Sequence, residues 1–199
     1  MDFDKRLTRR ALARLGLGLG IGAYAFSKKS YAAPTPECRD GDEVTESQIE
    51  GPFFKPRSPE RADLVERGTR GQIYQLEGTV LTRSCRPVPG VLLDLWHADE
   101  GGDYDNSGFT YRGHVFADGA GRYRFRTILP GPYPGRTRHY HLKVQAPRGR
   151  ILTTQLYFPQ DAVANDYDGF FDPALLMRVT PGTTSTPTVA AFDFVLNIA

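Results

Sequence analysis

The tightest constraint on what this chain can fold into is a period of two. Between residues 122 and 127, Tyr123, Phe125 and Thr127 alternate with Arg122, Arg124 and Arg126. Only an extended strand separates such a pattern onto opposite faces, one buried and one solvated. Residues 190–198 alternate likewise, with Ala190, Phe192, Phe194, Leu196 and Ile198 on one face. Further strand candidates are 73–81, 91–98, 138–146 and 152–158, divided by turns such as Asp118-Gly119 and Pro130-Gly131. No stretch beyond the N-terminal segment sustains a helical period for three turns. The expected fold class is therefore all-β, a single-domain β-sandwich of mostly antiparallel strands.

The first 33 residues read as an address. Lys5, Arg6, Arg9, Arg10 and Arg14 precede an uncharged run of twelve residues, 15–26, which is too short to span a bilayer. Thr8, Arg9 and Arg10 followed by Leu12 resemble a twin-arginine export signal, and Ser30 to Ala33 offer small residues for cleavage. The expected organisation is a signal peptide over 1–33, a linker or N-terminal arm over 34–49 and a catalytic domain over 50–199. The expected location is periplasmic or extracellular, with no stable membrane span once the signal is removed. Net charge is +2, and seven of the 25 lysines and arginines lie in the first 29 residues, so the mature domain is close to neutral. That balance argues against nucleic acid as a partner. Cys38 and Cys85 are the two cysteines. An even number in an exported chain favours one disulfide, with two separate thiols as the alternative.

The segment 138–146 carries the most chemistry. Tyr140, Leu142, Val144 and Ala146 fall on one strand face and His139 and His141 on the other, so two imidazoles project side by side away from the core. Such a pair can offer two nitrogen ligands to one metal, or can be two surface histidines. Between His141 and Asp161 there is neither Asp nor Glu, and Lys143 occupies the place where many hydrolases carry an aspartate. Tyrosines do lie nearby: Tyr133, six residues before His139, and Tyr104 in Gly101-Gly102-Asp103-Tyr104. A phenolate is a hard anionic oxygen donor, suited to a hard trivalent ion.

Taken in order, the motifs resemble the intradiol ring-cleavage dioxygenases, the family of catechol and protocatechuate dioxygenases. They are Glu50-Gly51-Pro52-Phe53-Phe54, Leu95-Trp96-His97-Ala98-Asp99, Gly102-Asp103-Tyr104-Asp105, Arg112-Gly113, Gly121-Arg122-Tyr123, Pro130-Gly131-Pro132-Tyr133, Arg136-Thr137-Arg138-His139-Tyr140-His141 and Leu152-Thr153-Thr154-Gln155. The resemblance covers nearly the whole mature region. It implies one Fe(III) per chain with Tyr104, Tyr133, His139 and His141 as ligands. It also implies Arg136 and Gln155 as active-site residues beside the metal. Tyr133 matches the ligand that leaves when the diol binds and takes its proton, and Tyr104 the one that stays. The implied reaction is cleavage of a small aromatic diol by O2 to a cis,cis-muconate-type diacid. His97 and His114 match no ligand position and are expected to be structural.

Two departures limit the transfer. The spacing from Tyr133 to His139 is shorter than in the cytoplasmic catechol enzymes, and their N-terminal helical dimerisation region is missing. The particular diol and the mode of any homo-oligomer therefore do not carry over. Two other readings stand beside this one: an exported non-catalytic sandwich that binds carbohydrate, protein or surface ligands, and a zinc hydrolase using His139 and His141.

Overall fold

In the computed structural model of the chain, residues 43–198 are described. The segment read as an export signal with its twin arginines, the expected cleavage region and Cys38 lie outside them. The described residues form two sheets. Strands β1 (Ile73–Thr82), β4 (Arg122–Ile128), β7 (Arg178–Thr180), β8 (Thr188–Ala191) and β9 (Phe194–Leu196) make one, in the order β4-β1-β8-β7 with β9 also on β1. Strands β2 (Leu92–Trp96), β3 (Arg112–Phe116), β5 (His139–Gln145) and β6 (Ile151–Tyr157) make the other, in the order β3-β2-β5-β6. Pairing is antiparallel except where β8 and β9 run parallel to β1. One short helix, α1 (Ala162–Tyr167), follows β6. Among the described residues no helix is long and apolar enough to cross a membrane.

The core lies between the sheets and follows the period-two pattern. Tyr74, Leu76 and Val80 of β1 and Tyr123 and Phe125 of β4 face Leu93 and Leu95 of β2 and Tyr140, Leu142 and Val144 of β5, all buried. Each such side chain contributes roughly 1.5–3 kcal/mol of transfer free energy. Arg122, Arg124 and Arg126 are exposed, as their alternation requires.

The last alternating segment does not run as one strand. It breaks at Phe192-Asp193, where the Asp193 carboxylate accepts from the Thr79 backbone N–H at 2.7 Å and Phe192 N–H donates to the Glu77 carbonyl at 3.0 Å. A Cβ on Gly78 would sit 1.8 Å from the Phe192 carbonyl oxygen, so only glycine lets the chain cross β1 here. The break divides one sequence pattern into β8 and β9.

The described part of the N-terminal arm is docked along both sheets. Thr45 N–H donates to the carbonyl of Val195 in β9 at 2.9 Å, and Gln48 N–H donates to that of Thr153 in β6 at 2.8 Å. Residues 50–58 then continue across the outer face of the β3-β2-β5-β6 sheet. Cys85, in the turn after β1, is disulfide-bonded.

Candidate active site

One cross-strand row of the second sheet underlies the site. Arg112, Trp96, His141 and Gln155 are register neighbours on β3, β2, β5 and β6. All four point away from the sandwich core, yet each is at most 1% exposed, because the arm covers them. His139 shares that face two residues along and is 3% exposed. The surface-histidine alternative thus fails: the pair points outward, and a segment remote in sequence buries it.

Two loops bring the tyrosines. Tyr104 stands on the loop from β2 to β3 and Tyr133 on the loop from β4 to β5. The loops meet backbone to backbone. Gly131 N–H donates to the Asp99 carbonyl at 2.7 Å, and a Cβ on Gly102, at φ +94°, would lie 2.4 Å from the Pro132 oxygen. Glycine at both positions is what permits this approach.

The four aromatic rings close a circuit. Centroid separations are 5.9 Å from Tyr104 to Tyr133, 5.7 Å on to His139, 4.6 Å on to His141 and 6.2 Å back to Tyr104. His139 Nδ1 lies 2.7 Å from the Thr137 carbonyl, which can only accept, so the proton sits on Nδ1 and Nε2 presents a bare lone pair. That Nε2 faces His141 Nε2 at 3.1 Å. Burial, then the Arg136 charge, lowers the His139 pKa to about 4. Burial, then His139, holds His141 well below the ordinary value. Both are neutral at pH 7. Tyr104 Oη is buried with no hydrogen-bond partner, and its pKa is pushed up by burial and then by Tyr133. Phe53 stacks on it at 4.4 Å and 14°. These four side chains are the arrangement's candidate metal ligands.

Arg136 reaches the circuit from the side. Its Nη1 donates to Tyr133 Oη at 3.0 Å, its Nη2 to Gln155 Oε1 at 2.6 Å and its Nε to both Asp168 oxygens at 2.9 and 3.1 Å. Burial works against its charge, but the Asp168 hydrogen bond, with the nearby anions, outweighs it and holds the guanidinium protonated. Gln155 Nε2 donates to the Ile49 carbonyl at 3.0 Å. The six residues singled out from the sequence thus come together. His97 is a core histidine between the Ala98 carbonyl and Thr127, and His114 contacts Ser58.

Sequence reasoning missed Asp168, which is 6% exposed and neutralises Arg136 from 32 residues away, and Trp96, stacked on His141 at 4.9 Å and 3°. Trp96 did carry a signal, being the chain's only tryptophan and inside a matched motif. Asp168 carried none, since an acidic residue in a loop is unremarkable until the partner it meets is known.

A family model described as "Dioxygenase" matches residues 49–197. Among curated proteins, the hydroxyquinol 1,2-dioxygenase of Rhodococcus opacus is similar, 31% identical over 173 residues that cover 74% of this chain and 58% of that one. A chlorocatechol 1,2-dioxygenase of Pseudomonas sp. (strain P51) is 30% identical, with 76% and 70% covered. The chain spans a little over half the length of the hydroxyquinol relatives it matches. Among solved structures, it is similar to the dioxygenase domain of a dioxygenase carbohydrate-binding protein fusion from Streptomyces sp. SirexAA-E. There the TM-score is 0.75 and the identity 51%, covering 79% of this chain and 100% of that one. For the 3-chlorocatechol 1,2-dioxygenase of Rhodococcus opacus 1CP they are 0.72 and 28%, covering 78% and 73%.

Proposed function

The chain belongs to the intradiol ring-cleavage dioxygenases, and on that premise we propose that it opens a catechol-type aromatic diol with O2, between the two hydroxylated carbons, to a cis,cis-muconate-type diacid. One ferric ion per chain would be held by Tyr104, Tyr133, His139 and His141. The observation that carries the reading is the closed circuit of two phenols and two neutral imidazoles. The donor set fits such an ion: His139 offers a bare Nε2, His141 Nε2 faces the same space, and Tyr104 Oη is buried with no protein partner. Two imidazoles and two hard phenolate oxygens are chemically suited to Fe(III). Among the described residues no group of three or more His, Cys, Asp and Glu side chains comes together, so a zinc hydrolase is not favoured.

When bound, the ferric ion supplies Lewis acidity and a template for the diol's two oxygens. Tyr133 Oη, in reach of Arg136 Nη1, is the atom that takes a proton from the incoming diol. Arg136, fixed by Asp168 and Gln155, holds that oxygen once protonated and offers positive charge where negative charge develops on the ring. Gln155, tied to the Ile49 carbonyl, anchors that guanidinium to the arm. Phe53 and Trp96 exclude water behind Tyr104 and His141. By its first 33 residues we also read the protein as exported through the twin-arginine route, so that it folds before crossing the membrane.

The test is the absorption spectrum of purified, iron-loaded protein with and without anaerobic catechol, followed by O2 uptake. A red protein with a tyrosinate-to-iron band that changes on catechol addition is expected. A colourless protein with stoichiometric iron would sink the assignment.

A further inference from the structure

We propose that Arg112 is a further positioning residue of this site: a buried guanidinium with no carboxylate partner that fixes the Tyr104 loop against the arm and presents a permanent positive charge to the Tyr104 ring. The proposal rests on the reading of Tyr104 as a ligand.

The geometry comes first. Arg112 opens β3 after Tyr111, which turns the chain at φ +53°. It is 1% exposed, in the same cross-strand row as Trp96 and His141. Its Nε donates to the carbonyl of Asp105 at 3.0 Å and its Nη1 to the carbonyl of Phe53 at 2.7 Å. Asp105 directly follows Tyr104, and Phe53 is the ring stacked on it. One rigid fork therefore ties both the segment that carries Tyr104 and the segment that covers it. A lysine ammonium, as a point charge, cannot reproduce that fork.

The charge is the second observation. Among the described residues no carboxylate pairs with Arg112. Asp105 turns its carboxylate to the N–H groups of Ser107, Gly108 and Thr110, and Asp94 takes the Ser58 hydroxyl. Nη2 has no partner at all. The Asp105 and Asp94 carboxylates lie close enough to favour the guanidinium's charge but do not hydrogen-bond it, and burial outweighs them, so this arrangement is a poor device for stability. It makes sense beside an anion. The Tyr104 ring centroid is 5.9 Å from the Arg112 guanidinium carbon, and the Tyr104 oxygen lacks any donor. A buried cation that hydrogen-bonds no carboxylate and a buried phenol without its donor stand on the same wall. Arg136 differs in that Asp168 already neutralises it.

The experiment uses iron-loaded protein and the variants Arg112→Met and Arg112→Lys. It measures the tyrosinate-to-iron band, iron loss to a chelator, and thermal unfolding of the metal-free forms. Removing positive charge beside the donor ring raises the phenolate's donor level. Arg112→Met should therefore move the band to longer wavelength and lose iron several-fold faster, while its metal-free form melts close to the parent. Arg112→Lys should return the band to the parent position but keep part of the faster iron loss. A parent-like band in Arg112→Met overturns the proposal. So does a lysine variant shifted as far as the methionine one. A methionine variant that does not fold also overturns it, since Arg112 would then be a packing residue. If the parent itself shows no tyrosinate band, the ligand reading falls first and this proposal with it.

Discussion

Tyr104 and Tyr133 are 5.9 Å apart and face the same space, but the two walls that carry them are built on opposite principles. The Tyr133 wall is wired. Its phenol accepts from Arg136, which is held in turn by Asp168 and Gln155, and Asp168 also takes the N–H groups of Thr137 and Phe170. The Tyr104 wall is packed. Its phenol has no hydrogen-bond partner, lies under Phe53, and is backed by a cation that hydrogen-bonds no carboxylate. A ligand that must leave and carry a proton needs a donor waiting for it. One that must stay needs a close cover and a charge that favours its ionised form. On the proposed function, the difference between the walls would account for how two identical side chains serve unlike roles.

Exchanging each phenol for a phenyl ring breaks the comparison most directly and has the largest expected effect. Tyr133→Phe is expected to retain iron and part of its colour through Tyr104 but to bind catechol slowly. Its turnover should fall by about 10²–10⁴-fold, the usual worth of a positioned proton acceptor. Tyr104→Phe is expected to damage the resting spectrum and the substrate complex alike. Stopped-flow spectra normalised to iron content separate the two. If Tyr133→Phe binds catechol as fast as the parent and turns over normally, the walls are not functionally distinct.

Breaking the wiring comes next. The Arg136–Asp168 pair has side chains 9% and 1% exposed, so Asp168→Ala leaves a buried, unbalanced guanidinium. The expected cost is about 3–5 kcal/mol of unfolding free energy, measured by denaturant titration. Gln155→Ala is milder, lowering turnover with little change in iron content. Equal loss of iron and turnover there would make Gln155 a structural residue.

The two histidines between the walls yield a pH dependence in metal-free protein. The His139 value of about 4 lies below the ordinary 6.5, and His141 is displaced in the same direction. The unfolded chain therefore binds more protons than the folded one between these values, and stability is lost as pH falls from about 6.5 towards 4. Each histidine contributes up to roughly 1.4 kcal/mol per pH unit within that window. A melting temperature that stays flat from pH 7 to 5 would contradict it. The smallest effect belongs to the outer face of β4. The Arg124–Glu77 pair, with side chains 68% and 33% exposed, is worth about 0–1 kcal/mol. Arg124→Ala serves as the exposed control for Asp168→Ala.

Much of this was legible because a strand writes its orientation into alternate residues. Arg122, Tyr123, Arg124 and Phe125 take the faces their period assigns, and His139 and His141 share one face for the same reason. The Asp118 turn also reads locally, its carboxylate accepting from Ala120 and Arg122. Strand β3 was not seen, since Arg112-Gly113-His114 shows no apolar alternation, and the break at Asp193 was not seen because it depends on Gly78 and Thr79 across the sheet.

The sequence by itself determined the strand periods, the pairing of the two histidines on one face, and the order of motifs that carries the family. Only the tertiary structure decided that those histidines are buried, that Asp168 neutralises Arg136 while Arg112 stays unpaired, and that two glycines let the tyrosine loops touch. The physical reason is range. Periodicity reports which way a side chain points relative to its own neighbours, whereas burial and charge balance depend on what arrives from 32 to 106 residues away, such as the Asp168 carboxylate on Arg136 or the Ile49 carbonyl on Gln155.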